Sequence, residues 1–389
     1  MDWMLECSAC GATESPRGIP SVCQCGQPWL VRYPARQWTL KLRDTIGADP
    51  SRGMWRFRAM MPITPGEDPV TLGEGDTPLL RLAHTEKRLG LDDLWMKDEA
   101  VNPTGSFKAR GLSAAVTRAR AAGVSRFVIP TAGNAGVAAA AYGASAGIPV
   151  RVYAPDTTPP AILAQIVSFG GELVRLKGHI GDCGKAARAF AAEAKAMDLS
   201  TLREPYRIEG KKTLGIEIAL AMNWKLPAAI IYPTGGGTGL IGMWKAFQEL
   251  RAAGWISGTL PRMFSVQSSG CAPVVRAFAA GRERAEPWAE PWTVASGLRV
   301  PGPLGDRLIL QALAESGGGA VAVSDEELME EAGMVAREEG IDMSPEGGAA
   351  VAAVKKLVAS GGLDSGGRIV VFNTGAGWLY RIPSDLLPL

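Results

Sequence analysis

Histidine is almost absent from this chain, with only His84 and His179 among 389 residues. So few histidines argue against a histidine-based hydrolase and against a multi-histidine metal enzyme. An excess of charge of one sign is also missing, because 41 basic residues face 39 acidic ones and leave a net charge of +2. A balance of this kind gives no electrostatic footprint for nucleic acid or for an anionic membrane surface.

Long apolar runs and a secretory leader are missing as well. No stretch approaches the roughly 20 uncharged residues that a membrane-spanning helix needs. Residues 1–6 lack the basic and apolar regions of a signal peptide. The six cysteines are too few and too unevenly placed for a disulfide scaffold. We therefore expect a cytoplasmic protein with no membrane partner and no nucleic-acid partner.

The N-terminal segment 1–34 nevertheless holds four of the cysteines, in two pairs: Cys7 with Cys10, and Cys23 with Cys25. A glycine follows each pair, as in many metal knuckles. Thiolate pairs separated by two to four residues suit tetrahedral zinc, although the second pair has a single residue between its thiols. The segment is therefore interpreted either as a zinc knuckle or as a short arm whose cysteines stay empty.

From residue 125 onward, short apolar strands alternate with helical patterns. The predicted strands are 126–130, 149–154, 172–176, 228–233, 263–267, 320–324 and 368–373. The small residues of 134–145 predict a tightly packed helix, and Ser324 with Glu327 predicts a capping box that begins another. Loops are expected at 282–291 and 363–367. Repeated strand–helix units favour largely parallel sheets covered on both faces.

Two glycine-rich loops each follow an apolar strand and open a helix: 130–136 (PTAGNAG) and 233–239 (PTGGGTG). In both, backbone N–H groups and a helix N-terminus are directed at an anion. The three consecutive glycines of the second loop suit a phosphate monoester, since no Cβ obstructs the backbone. One such loop alone would be better explained as a simple strand-to-helix turn.

Two further patterns match known motifs only in form. Residues 237–242 fit the dinucleotide fingerprint, but the next strand ends at 266–269 without the required carboxylate. A nicotinamide-dependent oxidoreductase is therefore a minor hypothesis. Residues 143–147 have the spacing of a nucleophile elbow, but a helix precedes them, so we predict a helix end capped by Gly147.

The segment 102–111 (NPTGSFKARG) places Lys108 where a helix begins. A lysine in a half-apolar setting at a helix N-terminus can form a Schiff base and later act as a general base. The same spacing also fits an ordinary lysine on a solvated surface.

Together these segments resemble the threonine synthases and their fold-type II pyridoxal-phosphate relatives, which include serine/threonine dehydratases and cysteine synthases. Six motifs in the family's order carry the resemblance: 72–79 (LGEGDTPL), 102–111, 131–136, 235–239, 344–348 (SPEGG) and 373–377 (NTGAG). The cysteine-containing N-terminus is also seen in threonine synthase-like proteins. The resemblance implies pyridoxal 5′-phosphate as the cofactor.

The resemblance also implies roles for individual residues. Lys108 would hold the cofactor as a Schiff base and move protons on one face of its ring. Asn134 would bind the ring hydroxyl oxygen, Thr374 the pyridine nitrogen, and Phe107 would pack near the ring or belong to the core. The 5′-phosphate would be held by backbone N–H groups of Gly235, Gly236, Gly237, Thr238 and Gly239. A threonine hydroxyl at the pyridine nitrogen favours elimination and replacement over transamination.

The substrate carboxylate would bind at Thr131, Ala132 and Gly133. Ala132 departs from the family, where a hydroxyl residue is usual, so one hydrogen bond to the carboxylate is missing or is supplied differently.

A second departure is Glu204, where many threonine synthases have asparagine before proline. A carboxylate there would repel an incoming phosphate group unless Arg207, Lys211 or Lys212 compensates. Lys211 and Lys212 are accordingly candidate substrate ligands. The three cations could equally form a solvated basic segment.

The fold class implied is α/β, a fold-type II enzyme with two parallel-sheet, three-layer domains and a small cysteine-rich knuckle. The knuckle would cover 1–34. A larger cofactor-binding domain would combine 35–110 with 205–389, and 111–204 would form a smaller α/β domain. The active site is expected between the two domains, and a homodimer is expected from the family.

The leading function is threonine synthase, a carbon–oxygen lyase of threonine biosynthesis. It converts O-phosphohomoserine and water to threonine and phosphate by β,γ-replacement. The alternative is a β-eliminating ammonia-lyase acting on threonine, serine or a related hydroxy amino acid. A binding protein without activity is disfavoured, because Lys108, Asn134 and Thr374 are all retained.

Overall fold

The structure, a computed structural model, describes residues 3–16, 18–34 and 38–380. Its strands are β1 (Met4–Cys7), β2 (Thr13–Glu14), β3 (Trp29–Arg32), β4 (Leu79–Arg81), β5 (Leu94–Asp98), β6 (Phe127–Pro130), β7 (Val150–Pro155), β8 (Glu172–Leu176), β9 (Met197–Asp198), β10 (Ala229–Pro233), β11 (Arg262–Ser268), β12 (Gly319–Val323) and β13 (Ile369–Asn373).

The α-helices are α1 (Leu40–Ala48), α2 (Ala83–Leu89), α3 (Lys108–Ala121), α4 (Asn134–Ala146), α5 (Pro160–Ser168), α6 (Ile180–Ala194), α7 (Tyr206–Ala221), α8 (Thr238–Ala252), α9 (Pro273–Ala279), α10 (Asp306–Glu315), α11 (Asp325–Glu339) and α12 (Pro345–Ala359). Short 3-10 helices lie at Met54–Met60, Glu99–Val101 and Gly377–Leu379.

The chain divides into two compact units. Unit 1 contains the described residues up to Asp76 together with Asn102–Thr213, and unit 2 contains Thr77–Val101 together with Leu214–Tyr380. The domain boundaries expected from the family resemblance stay a prediction.

Unit 1 contains two sheets. The knuckle sheet is antiparallel, with the order β2-β1-β3, and the second sheet is parallel, with the order β8-β7-β6-β9. Helix α6 packs on the face that presents Val128 and Tyr153. Helix α4 packs on the opposite face, where a Cβ on Gly136 would lie 3.2 Å from Val152 Cγ1 and 2.4 Å from Thr131 Cγ2. The small residues of α4 therefore let it lie close against the sheet, as the sequence predicts.

Unit 2 contains one six-stranded sheet with the order β12-β11-β10-β13-β5-β4. Its strands are parallel except for β4, which pairs antiparallel with β5. Helix α12 buries its small apolar face, centred on Val351 and Val354, against the middle strands. Because β10, β13 and β5 run in parallel, their carboxyl ends lie at one edge of the sheet, and this edge positions the polar residues described below.

The sequence-based elements are largely confirmed. All seven predicted strands are present within two residues of their expected bounds, and α4 ends at an αL cap on Gly147. Ser324 and Glu327 form the predicted capping box at the start of α11. The strands β4, β5 and β9 and the three knuckle strands have no counterpart among the predicted ones. Among the described residues, no helix has the length and apolar character needed to cross a bilayer.

Candidate functional site

Lys108 is the first residue of α3 and is half-buried. The turn before it is closed by an N–H donated from Gly105, with φ +65°, to the Asn102 carbonyl at 2.8 Å. The Lys108 Nζ lies 4.5 Å from the centre of the Phe107 ring. Lys211 on α7 approaches the same ring to 4.1 Å and donates a hydrogen bond to the Phe107 carbonyl. Two lysines therefore meet at Phe107.

Lys212, the neighbour of Lys211, is held in a different set of contacts. Its Nζ lies 2.7 Å from Glu209 Oε2, and both side chains are fully buried. It also donates to the Met60 carbonyl and lies 4.3 Å from the Tyr33 ring centre. The Tyr33 hydroxyl donates to the same Glu209 oxygen at 2.7 Å. This network joins the residue after strand β3 to helix α7.

Glu204 and Arg207 lie at the start of α7. Glu204 accepts N–H groups of Tyr206 and Arg207 at 2.7 and 3.1 Å, so it caps the helix. Burial raises the pKa of Glu204 to about 7, while Arg207 acts in the opposite direction. Arg207 donates to the Leu199 carbonyl at 2.6 Å. The interpretation of three cations as a solvated basic segment is wrong, because the side chains of Arg207, Lys211 and Lys212 are all buried.

The first glycine-rich loop, residues 130–136, contains Asn134 and is called the asparagine loop below. It lies at the carboxyl end of β6. Thr131 is buried, and its hydroxyl accepts N–H groups of Gly133 and Gly136 at 3.1 and 3.2 Å. It also donates to the Gly133 carbonyl at 2.8 Å. The loop thereby turns directly into α4, which begins at the buried Asn134. Ala132, between Thr131 and Gly133, is half-buried.

The second glycine loop connects β10 to α8 in unit 2. Gly237 has φ +77°, and α8 begins at Thr238, so the unsatisfied N–H groups of a helix N-terminus start here. A Cβ on Gly235 would lie 2.1 Å from the Gly297 carbonyl oxygen. Gln267 supports the loop from below by donating to the Thr234 carbonyl at 3.2 Å. Only glycine fits at Gly235, because a side chain there would collide with the backbone of Gly297.

Thr374 follows β13, the strand next to β10, and therefore lies at the same edge of the sheet as the loop. Its position is set by its neighbour Asn373, whose side-chain amide donates to Asp98 Oδ1 at 2.9 Å and accepts from the Ser344 N–H at 3.2 Å. Ser344 also donates its N–H to the Gly375 carbonyl. Burial raises the pKa of Asp98.

Glu74, in the motif 72–79, has a structural role that the spacing of residues did not reveal. It is fully buried, and its carboxylate accepts from the hydroxyl of Tyr142, from Trp55 Nε1 and from the Leu72 N–H. Burial and the neighbouring carboxylate raise the pKa of Tyr142. In the sequence, the only indication that Glu74 matters is its place in the motif 72–79, which contributes to the family resemblance.

The four N-terminal cysteines converge. Their Sγ atoms all lie within 4.8 Å of one another, with Cys7 and Cys25 at 3.4 Å and Cys10 and Cys23 at 3.7 Å. Sulfur atoms around a tetrahedral zinc ion, with Zn–S of about 2.3 Å, are about 3.8 Å apart. Burial acts to raise the pKa of Cys7, but N–H groups of Cys10 and Ala9 lower it to about 7. The donor set and its spacing fit a structural zinc ion.

The comparisons with known proteins identify the class. Residues 70–375 match the family described as "Pyridoxal-phosphate dependent enzyme", and the chain belongs to that family. It is 35% identical to a threonine synthase of Methanocaldococcus jannaschii over 96% of this chain and 92% of that protein. A threonine synthase of Mycobacterium tuberculosis is 34% identical over 82% of this chain and 86% of its own length. The chain is thus a pyridoxal-phosphate-dependent lyase with threonine synthases among its relatives.

Solved structures agree on the fold-type II architecture. A threonine deaminase from T.th. matches with a TM-score of 0.66 and 26% identity, covering 77% of this chain and 92% of that one. Maize serine racemase matches with a TM-score of 0.69 at 20% identity, covering 80% and 90%. The glycine cradle at Gly235, where a Cβ has no room, and the adjoining helix N-terminus fit the phosphate of the family's cofactor.

Proposed function

We propose that this protein is a threonine synthase, converting O-phosphohomoserine and water to threonine and phosphate in threonine biosynthesis. The observation that carries the proposal is the 35% identity to a threonine synthase over 96% of the chain. Two features of the site support it: the half-buried Lys108 at a helix start, and a second, buried lysine at the same aromatic ring.

Pyridoxal phosphate, when bound, supplies an electron sink for the carbon framework of the substrate. We assign its covalent attachment to Lys108 Nζ, its phosphate to the N–H groups of 235–239 and its pyridine nitrogen to the Thr374 hydroxyl. Asn134 is assigned to the ring hydroxyl oxygen, and the Phe107 ring to packing near the cofactor. All of these assignments are proposals about residues that lie at helix starts and strand ends.

Lys108 Nζ is the atom that we propose to remove the proton from the substrate Cα and to return one later. Loss of a Cβ proton then accompanies breakage of the Cγ–O bond, and phosphate leaves with the electron pair of that bond. Cγ takes up a proton and becomes the methyl carbon, and the oxygen of water bonds to Cβ. Cα regains a proton, and the remaining proton, given up by water, goes to the released phosphate. The net change consumes one water and releases one phosphate. The backbone of 131–133 would bind the substrate carboxylate.

For the phosphate group of the substrate we favour Lys211 over Lys212. The ammonium of Lys211 contacts the Phe107 ring, and the ring is also contacted by Lys108, to which we assign the covalent chemistry. Lys212 is instead held by Glu209 at 2.7 Å, and that carboxylate already balances its charge. The carboxylate of Glu204 is held by the N–H groups that it caps, which weakens the objection that it would repel phosphate.

A β-eliminating ammonia-lyase acting on threonine or serine remains the second candidate. Ala132 favours it, because the asparagine loop lacks the hydroxyl that is usual before Gly-Asn. The 26% identical threonine deaminase has the same fold.

One experiment separates the two candidates. The purified protein is supplied with pyridoxal phosphate, and its absorbance is recorded before and after O-phosphohomoserine or threonine is added. A band near ~410 nm from covalently bound cofactor should be absent in Lys108→Ala and present in Lys185→Ala, an exposed lysine of the same unit. Phosphate release from O-phosphohomoserine supports threonine synthase, and formation of a 2-oxo acid from threonine supports the ammonia-lyase.

We also propose that Cys7, Cys10, Cys23 and Cys25 hold a structural zinc ion. The mutual spacing of their sulfur atoms supports this, and four protein ligands would leave no open position for chemistry. Metal analysis of the purified protein tests it. The homodimer stays a prediction, to be checked by light scattering.

A further inference from the structure

Glu346, the second residue of α12, is 3% exposed and lies in the motif 344–348. Its Oε1 accepts the backbone N–H of Gly297 at 2.7 Å. A buried carboxylate is costly to desolvate, and here a backbone amide on another segment of the chain provides a compensating bond. The residue pattern gave Glu346 no separate role.

The carbonyl group of Gly297 faces residues 235–239, which we call the phosphate loop. Its carbonyl oxygen lies only 2.1 Å from the position of a Cβ on Gly235, so the two backbones are in direct contact. A Cβ on Gly297 itself would lie 2.7 Å from Glu346 Oε1. Glu346, Gly297 and Gly235 therefore form a continuous chain of contacts without room for a side chain at either glycine.

We propose that Glu346 is a positioning residue for the 5′-phosphate end of the cofactor. By holding the Gly297 amide, it fixes the carbonyl against which Gly235 rests, and so fixes the direction of the loop amides. The proposal rests on the assignment of 235–239 to the phosphate. It does not make Glu346 a catalytic residue, since Glu346 acts through the backbone amide of Gly297.

The same helix start also reaches the other end of the proposed site. Ser344, the N-cap of α12, donates its N–H to Asn373, the residue before Thr374. One helix terminus thus supports both the phosphate loop, through Glu346, and the threonine assigned to the pyridine nitrogen, through Ser344. A change at Glu346 should therefore act mainly on the phosphate end.

The test compares two ligands of the cofactor-free protein: pyridoxal phosphate, and pyridoxal, which has the same ring and aldehyde but no phosphate. Glu346→Ala should weaken binding of pyridoxal phosphate roughly tenfold to a hundredfold, since the Gly297 backbone is no longer held and the loop amides lose their fixed direction. Binding of pyridoxal should change less than about threefold. The affinity ratio is the affinity for pyridoxal phosphate divided by that for pyridoxal. Glu346→Gln retains an acceptor oxygen and should keep this ratio close to that of the unaltered protein.

Glu331→Ala is the matched control, because Glu331 is a similarly buried glutamate of unit 2, paired with Arg88 and Lys355. It should lower the melting temperature without changing the affinity ratio. Gly297→Ala, which would press a Cβ on Glu346, should lower the ratio as Glu346→Ala does. The ³¹P resonance of bound pyridoxal phosphate should shift in Glu346→Ala and in Gly297→Ala.

Equal weakening of both ligands by Glu346→Ala, or no weakening of either, overturns the proposal and leaves Glu346 a residue of the fold only. An unaltered protein that binds pyridoxal and pyridoxal phosphate equally well overturns the assignment of the loop itself, and the positioning role with it. An affinity ratio that falls in both Glu346→Ala and Gly297→Ala supports it, whatever substrate the enzyme uses.

Discussion

The Lys211 ammonium lies 4.1 Å from the centre of the Phe107 ring and donates a hydrogen bond to the Phe107 carbonyl, while Lys108 lies 4.5 Å from the same ring. Lys211 is fully buried. Its charge has been taken out of water at a ring that Lys108, to which we assign the covalent chemistry, also contacts. Burying a cation costs free energy even where it is paired, so we propose that Lys211 serves to bind an anion rather than to stabilise the fold.

Lys211→Met tests that role, because methionine removes the charge and keeps much of the side-chain volume. We expect kcat/KM for O-phosphohomoserine to fall roughly tenfold to a hundredfold, mainly through KM, since a charged hydrogen bond is lost. Steady-state kinetics measures it. Lys185→Met, at an exposed position, should leave kcat/KM unchanged. A variant that loses the cofactor band would show instead that Lys211 only holds Phe107 in place.

Strands that consist mainly of neighbouring apolar residues could be predicted from the sequence. Strand β10 and the first four residues of β13 are apolar, and both strands are buried throughout. Strand β5 was missed because it ends in Lys97 and Asp98, which are typical of a loop. Lys97 forms an ion pair with Glu217, 120 residues away in the sequence. Asp98 accepts a hydrogen bond from Asn373, 275 residues away. Such distant partners cannot be deduced from a window of sequence.

The candidate site divides in the same way. Lys108, Asn134 and 235–239 follow short, ordered motifs, and the structure places each at the helix start that its motif predicts. The contact of Glu346 with Gly297 spans 49 residues, and nothing in the local spacing indicates it. Likewise, the sequence left open whether Lys211 and Lys212 are solvated, because burial of a lysine depends on what packs over it.

Glu204 should make stability depend on pH. Its pKa is raised by burial from 4.5 to about 7, so the folded protein holds a proton there that the unfolded chain has lost. The free energy of unfolding should therefore fall as the pH rises from about 4.5 to about 7. Glu204→Gln should remove that fall, so its stability relative to the unaltered protein should increase between about pH 5 and about pH 8. Urea unfolding at both pH values measures this, and a difference that stays constant contradicts the prediction.

Gly235→Ala should impair cofactor binding more than folding. The added Cβ would lie 2.1 Å from the Gly297 carbonyl, so the loop backbone must move. Overpacking of this kind costs about 1–3 kcal/mol, and we expect the affinity for pyridoxal phosphate to fall by roughly one to two powers of ten. Titration of the cofactor-free protein checks it. Gly302→Ala, at a glycine with open space around it, is the control and should bind normally.

Removal of the proposed zinc ion should act on the knuckle and, through it, on helix α7. The residue after strand β3, Tyr33, donates its hydroxyl to Glu209 on α7 at 2.7 Å, so ordering of the knuckle helps to hold that helix. Structural zinc contributes on the order of 10 kcal/mol to the folding of a small site. A chelator, or Cys10→Ser, should therefore abolish bound zinc, lower the melting temperature by several degrees and expose the knuckle to proteolysis.

Cys183→Ala provides the comparison for the zinc experiment, because Cys183 is fully buried but lies outside the cysteine cluster. Its metal content should match that of the unaltered protein, even if its melting temperature falls. If Cys10→Ser retains a full equivalent of zinc, the ion is bound elsewhere and the assignment to the knuckle is wrong. If chelation removes zinc without any change in melting temperature or proteolysis, the contact between Tyr33 and Glu209 does not depend on the metal.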